Sequence, residues 1–174
     1  MEHNFLGESW GKLATKEKDG LDFDENKVDK AFEKHIDIYS RMQIIKENIE
    51  DSNKFTPKDI DTLNTLYEMV FDNVSNYVSA VHDTELAQTP DNTEDMKKDR
   101  NIEKMDRIEA LDRTRTRAHN ALIESLNFLK RNYEKLGLDI SWRDDIGYDR
   151  NEIREWAQDV MRYISNKKQG AERS

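Results

Sequence analysis

Apolar residues recur at intervals of three and four along four stretches of the chain, which is the spacing of one face of an α-helix. The first stretch is predicted to begin at Asp24, because Phe23 and Val28 flank that residue at the spacing of a hydrophobic staple. Its stripe consists of Val28, Phe32, His35, Tyr39, Met42, Ile45 and Ile49. The pattern therefore predicts a first helix with one buried face.

The second stretch opens with three start signals in a row. Thr56 is placed as N-cap, Pro57 as the first helical residue and Asp59 in the first turn. Apolar residues then occupy more than one side of the helix, namely Ile60, Leu63, Tyr67, Val70, Val74, Tyr77 and Val81, together with Leu66, Phe71 and Val78. A helix with so broad an apolar surface is expected to be covered by two neighbours.

The third stretch predicts the longest helix, from Ile102 to Leu136, with Gly137 placed to end it. Its stripe is Ile108, Leu111, Arg115, Ala118, Leu122, Leu126, Leu129, Tyr133 and Leu136, so that one stripe position is an arginine. The polar segment 83–96 precedes this helix and contains Pro90, which predicts a long, mobile connection.

A fourth helix is predicted from Asp149 and Glu152, which have the spacing of a capping box. Its apolar face consists of Ile153, Trp156, Val160 and Ile164, and the loop before it carries Ile140, Trp142 and Ile146, which are expected to pack against the end of the bundle. Residues 1–22 are interpreted as an irregular arm, and residues 166–174 as a flexible tail.

Four amphipathic helices predict an all-α fold, an up-down bundle with a long third helix, as a single domain over residues 23–165. Composition supports this fold class. Two prolines and six glycines in 174 residues are fewer than a loop-rich or β-rich chain of this size normally uses. Only 35% of residues are hydrophobic and 37% are charged, and stripes on helices gather a small apolar share into one core.

Charge and composition also exclude several functions. A net charge of -9 argues against duplex DNA or an anionic membrane as partner, because both require a positive surface. The chain has neither a signal-like start nor an apolar run of ~20 residues, which favours a soluble, cytoplasmic protein. With no cysteine, disulfides, thiol catalysis and zinc–thiolate sites are all excluded.

One segment of the third helix carries candidate chemistry. The sequence RTRTRAH, residues 113–119, places Arg113 and Arg115 upstream of His119. The spacing of Arg113 and His119, with five residues between them, resembles the Arg-x4–6-His pattern of the HEPN family of helical ribonucleases and nucleotide-binding domains. The resemblance implies a dimer in which the arginine and histidine of both chains face an RNA phosphate. Regular helix geometry places Arg113 about 120° from His119, whereas Arg115 lies within about 40° of it.

The alternative interpretation of the same residues is structural. Arg115 is then expected to lay its methylene groups along the core and to pair with a carboxylate on the second helix, Glu68 first and Asp61 second. His119 is expected to bond to a tyrosine or a backbone carbonyl at the edge of the stripe. Arg113 and Arg117 are expected to be solvated.

No metal or cofactor is predicted. His35, His82 and His119 fall on three predicted helices, but the rise of a helix separates the levels of His82 and His119 by ~25 Å. His35 lies within a stripe, which is more typical of a core histidine with a bonded partner.

Residues 112–131, DRTRTRAHNALIESLNFLKR, resemble small bacterial all-helical proteins classed as domains of unknown function, and this resemblance implies no activity. The sequence therefore predicts a non-enzymatic helical-bundle protein that binds a protein partner or itself. The broad apolar surface of the second helix is its candidate homodimer face. The alternative is a HEPN-like, metal-independent ribonuclease or toxin that uses Arg113 or Arg115 with His119.

Overall fold

A computed structural model describes residues 25–88 and 97–173, and within these residues the chain is all-α. It contains α1 (Glu25–Asp51), α2 (Pro57–Ala87), α3 (Lys97–Lys135), α4 (Ser141–Ile146) and α5 (Arg150–Arg173). The four predicted helices correspond to α1, α2, α3 and α5, and the short α4 lies in the segment predicted as a loop. The predicted arm, residues 1–22, and the predicted start at Asp24 lie outside the described residues, as does segment 89–96 of the connection.

Two helix ends follow their sequence signals. Asp59 donates its backbone N–H to the Thr56 hydroxyl at 3.1 Å, and Thr56 donates its own to the Asp59 carboxylate at 3.3 Å, which completes a capping box. At the end of α3, Gly137 has a φ of 73°. Leu138 donates its backbone N–H to the Tyr133 carbonyl at 2.8 Å, which is the glycine-terminated end that the sequence predicts.

Three other helix ends differ from prediction. The first is the start of α3, which is at Lys97 instead of Ile102. The connection is predicted to begin at Asp83, yet α2 continues to Ala87. Thr84 explains this, because its side chain is buried and its hydroxyl donates to the carbonyls of Ala80 at 2.8 Å and Leu111 at 3.5 Å. The segment predicted as a tail remains helical to Arg173, since lysine, glutamine, alanine, glutamate and arginine all favour helix.

A single core is formed where α2 contacts α1, α3 and α5. The prediction that neighbours cover the broad surface of α2 is therefore confirmed. The core cluster consists of Ile38, Met42, Ile49, Leu63, Val70, Val74, Tyr77, Val81, Leu122, Leu126, Leu129, Tyr133, Trp142, Ile146, Ile153, Trp156, Ala157 and Val160. The predicted packing of the segment before the fourth helix is confirmed for Trp142 and Ile146, which are buried, and for the partly buried Ile140, but they lie along the helices and not at the end of the bundle.

The register between α2 and α3 is set by two side-chain bonds. Asn73 donates to the carbonyl of Ala121 at 3.3 Å, and Thr84 donates to that of Leu111 at 3.5 Å, so the two helices are antiparallel. Interpolation between these pairs places Arg115 close to the level of Ala80. The predicted level was Asn64 to Glu68, so the shift is about 12 to 16 residues, or roughly 18–24 Å along the axis.

The connection from α3 to α5 determines where α5 begins. Arg150, the first residue of α5, donates to the Thr116 hydroxyl at 3.5 Å. Thr116 lies about 28 Å along the axis before the end of α3, given a rise of ~1.5 Å per residue. Residues 136–149 therefore run back along the helices, and α4 contacts α1 on the way, where Arg41 pairs with Asp145 at 2.7 Å.

Across the described part of the chain, none of the helices combines the length and the apolar character that crossing a membrane would require.

Candidate functional site

Arg115 is paired within its own helix. Its guanidinium bonds the carboxylate of Asp112, one turn earlier in α3, and its side chain is 30% exposed. The predicted partners Glu68 and Asp61 are both exposed and do not pair with it, so that prediction is wrong. The register shift is the reason, because Arg115 lies opposite the C-terminal part of α2 instead of its middle.

His119 lies beside the same arginine, one turn further along α3. Its ring meets the edge of the Tyr77 ring on α2, with 5.6 Å between centroids, and its Nδ1 lies 3.4 Å from the side-chain oxygen of Asn120. Its Nε2 is buried and has no hydrogen-bond partner. The predicted bond to a tyrosine hydroxyl or backbone carbonyl is therefore wrong, although a tyrosine is the neighbour.

Arg113 and Arg117 are exposed, as predicted. Each is two residues from Arg115, and this places it about 160° away around α3. The structure thus brings Arg115 together with His119 and leaves Arg113 on the far side of the helix. Of the two arginine–histidine pairs that the sequence allows, only the pair that departs from the HEPN spacing shares one face.

Two further arginines reach this place from α5. Arg150 donates to Thr116, the neighbour of Arg115, and Arg154 follows one turn later on the same face of α5. In the described part of the chain, no carboxylate lies within 4.0 Å of either guanidinium. We refer to Arg115, Arg150 and Arg154 as the arginine cluster. Their α5 members were missed because their position depends on the route of the connection, which has no local sequence signal.

The charges of the arginine cluster act on Tyr77. This side chain is 2% exposed, and burial raises the pKa of its hydroxyl above the ordinary value. The charges of Arg154, Arg115 and Arg150 act in the opposite direction on the same pKa, because each favours the phenolate. Three guanidinium groups from two helices therefore act on the same hydroxyl, and one of them is paired with the Asp112 carboxylate.

The other histidines have separate positions. His35 is buried on α1, and its Nδ1 lies 2.6 Å from the carboxylate of Asp159, which also accepts from Arg162 at 3.3 Å. The prediction of a bonded core histidine at this position is confirmed. His82 is exposed on α2. Among the residues that the structure describes, no group of three or more potential metal ligands is close enough to hold an ion.

Buried tyrosines predict how stability depends on alkaline pH. Burial raises the pKa of each hydroxyl above 10.0 in Tyr39, Tyr67, Tyr77 and Tyr133. The folded state therefore favours the neutral form of each tyrosine. This contribution to the free energy of unfolding is complete below the pKa of tyrosine in the unfolded chain, about 10, and is lost as the pH rises above it. We expect tyrosinate absorbance and loss of helical circular dichroism to rise together in this range.

Tyr133→Phe provides the matched variant for that experiment. It removes one of the four groups, along with a hydrogen bond from Tyr133 to the Met42 carbonyl at 3.1 Å. The free energy of unfolding of this variant is expected to be about 1 kcal/mol lower at neutral pH and to fall less steeply as the pH rises above 10. Full tyrosine ionisation near pH 10 in a chain that stays helical would contradict the expectation.

Comparison of the chain with protein-family models, with curated proteins and with solved structures finds no match.

Proposed function

We propose that this chain is a non-enzymatic helical module that binds a protein partner through the arginine cluster. The observation that carries the proposal is the convergence of Arg115, Arg150 and Arg154 beside Tyr77, with Asp112 as the paired carboxylate. In a chain with a net charge of -9, arginines gathered in one place favour an acidic partner. The proposal includes a cytoplasmic location, which the absence of cysteine supports.

The proposed partners include a second copy of this chain. The chain carries 37 acidic residues, so its own surface offers carboxylates to the arginine cluster of another copy. The broad apolar surface of α2 no longer supports a homodimer, because α1, α3 and α5 contact this helix within one chain.

The scaffold that we propose is a bundle of α1, α2, α3 and α5, supported by the contacts of α2 with the other three. The antiparallel pairing of α2 with α3 supports up-down order for this part. The last helix favours a different arrangement, because α5 begins beside Thr116, well inside the length of α3, and not at the end of α3. This route is what adds Arg150 and Arg154 to the site.

A HEPN-like ribonuclease is the second candidate function. It is favoured by the position of His119 one turn from Arg115 on the same face of α3, although the unbonded Nε2 of this ring is buried. A general acid or base must lie within hydrogen-bond distance of the group whose proton it takes or gives, and an arginine beside it can bind the phosphate. Against it, the guanidinium of Arg115 is bonded to Asp112, and Arg113 lies on the far side of α3.

Two assays on the same preparation separate the candidates. A labelled polyglutamate peptide is expected to bind the wild-type chain at low salt and to dissociate as salt rises, because screening weakens exposed charge pairs. Arg150→Gln/Arg154→Gln is expected to abolish that binding while leaving helical circular dichroism unchanged. Single-stranded RNA incubated with the wild type and a chelator is expected to remain intact.

Metal-independent cleavage of RNA by the wild type, lost in His119→Ala without loss of helix, would make the ribonuclease the preferred function. Binding of polyglutamate that does not depend on Arg150 and Arg154 would remove the arginine cluster from the proposed function.

A further inference from the structure

The arginine cluster draws its members from two helices, α3 and α5. Arg150 and Arg154 are four residues apart, so they project from the same face of α5. The contact between Arg150 and Thr116 brings the Arg150 guanidinium to α3, at the residue that follows Arg115. This arrangement fits one concentrated anion better than an extended chain of charges.

The donors of the arginine cluster are only partly used within the chain. Arg115 bonds the Asp112 carboxylate, so its guanidinium already holds an oxyanion in the described structure, although its Nε is buried without a partner. The only oxygen partner of Arg150 in the described part of the chain is the Thr116 hydroxyl, at the long distance of 3.5 Å. Like charges four residues apart destabilise a helix. A bound anion between Arg150 and Arg154 would offset that repulsion.

The charge and shape of the ligand follow from these donors. A phosphate monoester carries close to two negative charges at neutral pH and three acceptor oxygens, against one charge and two oxygens for a carboxylate. Guanidinium groups match phosphate oxygens with paired N–H donors. Three clustered arginines therefore favour a phosphate monoester over the side chain of aspartate or glutamate.

An RNA strand fits the same place less well. Single-stranded nucleic acids are held by a continuous basic track and by exposed aromatic rings on which bases stack. The Asp112 carboxylate, bonded to Arg115, interrupts such a track on α3. The neighbouring aromatic residue Tyr77 is 2% exposed and offers no stacking face.

We propose that the arginine cluster binds a phosphorylated side chain of a partner protein, with Arg150 and Arg154 as its principal ligands and Arg115 as a third. This inference rests on the proposed function, and it adds the chemistry by which the partner is recognised. Recognition of phosphorylated segments by clustered arginines is an established use of this side chain.

Fluorescence anisotropy on the full chain tests the inference with four labelled probes. Three are mixed-sequence peptide pools that differ only at the central residue, which is phosphoserine, serine or glutamate, and the fourth is mixed-sequence single-stranded RNA. The phosphoserine pool is expected to bind about tenfold tighter than the serine and glutamate pools, since one charged hydrogen-bond pair is worth about that ratio.

Three variants locate the site. Arg150→Gln/Arg154→Gln is expected to lose the preference for phosphoserine, and the matched control Arg113→Gln/Arg117→Gln on the opposite side of α3 is expected to keep it. Asp112→Asn removes the carboxylate that competes for Arg115 and is expected to tighten phosphoserine binding. A gain in affinity is a result that an unfolded variant cannot imitate.

The outcomes separate this inference from the proposed function. Equal binding of the glutamate and phosphoserine pools, dependent on Arg150 and Arg154, overturns phosphate recognition and leaves the proposed function standing. Preference for RNA, or no binding of any probe, overturns both. Equal losses in the two arginine double variants overturn the location of the site.

Discussion

Replacing Trp156 by alanine is expected to lower the free energy of unfolding by about 3–5 kcal/mol. Trp156 lies on α5, is fully buried, and its ring centroid is 6.2 Å from that of Phe71 on α2. Truncation removes the apolar contacts that join these two helices and leaves a cavity that rigid helices cannot close. The indole Nε1 has no hydrogen-bond partner, so the loss is one of packing alone.

Urea unfolding followed by circular dichroism measures this loss, with Trp156→Phe as the matched control. Phenylalanine retains most of the apolar volume and removes the unpartnered N–H, so it is expected to cost less than about 1.5 kcal/mol. If alanine and phenylalanine cost the same small amount, Trp156 does not hold α5 against α2. The position of Arg150 and Arg154 beside α3 would then need another cause.

Local sequence patterns were sufficient to predict the four long helices, whereas the short α4 was predicted as a loop. The Thr56 and Asp59 signals mark the start of α2, and Gly137 marks the end of α3, because each acts through hydrogen bonds to residues within the same turn. The periodic stripes likewise predicted most of the buried residues. These features depend on neighbours three to five positions away, which a sequence displays directly.

The parts of the candidate site that depend on long-range geometry were not predictable. A shift of register along α2 and α3 changes no local pattern, yet it decides whether Arg115 meets Glu68 or pairs with Asp112. The route of residues 136–149 decides whether α5 brings Arg150 and Arg154 to the site. The periodic stripes alone do not distinguish pairing of Arg115 within α3 from pairing with α2. Nor do they show whether residues 136–149 return along the helices.

The connection before α5 holds a charged side chain that the sequence gives no reason to bury. Arg143 is 1% exposed, donates to the Gly147 carbonyl at 2.8 Å, and lies 4.1 Å from the centre of the Tyr148 ring. Hydrogen bonding and stacking on the aromatic ring both stabilise a guanidinium out of water. Arg143 thereby fixes Gly147, the residue at which the chain turns into α5.

Gly147→Ala is expected to lower the free energy of unfolding by about 2–4 kcal/mol, from two sources. Gly147 has φ 97° and ψ 172°, a region of backbone conformation that essentially only glycine occupies. A Cβ at this position would also lie 2.7 Å from the Glu152 side chain. That side chain caps the start of α5, where its carboxylate accepts the backbone N–H of Asp149 at 3.1 Å. Alanine therefore strains the turn and displaces a cap.

Denaturant unfolding of Gly147→Ala, with and without Glu152→Ala, separates these two sources. If the Glu152 contact contributes, Gly147→Ala costs less in the Glu152→Ala background, whereas pure backbone strain costs the same in both. Gly170→Ala is the control, because Gly170 lies within α5 with open space around it and alanine favours helix there. A Gly147→Ala protein as stable as wild type would mean that the chain enters α5 by another backbone path. Arg150 follows three residues later, so such a path would also move the arginine cluster.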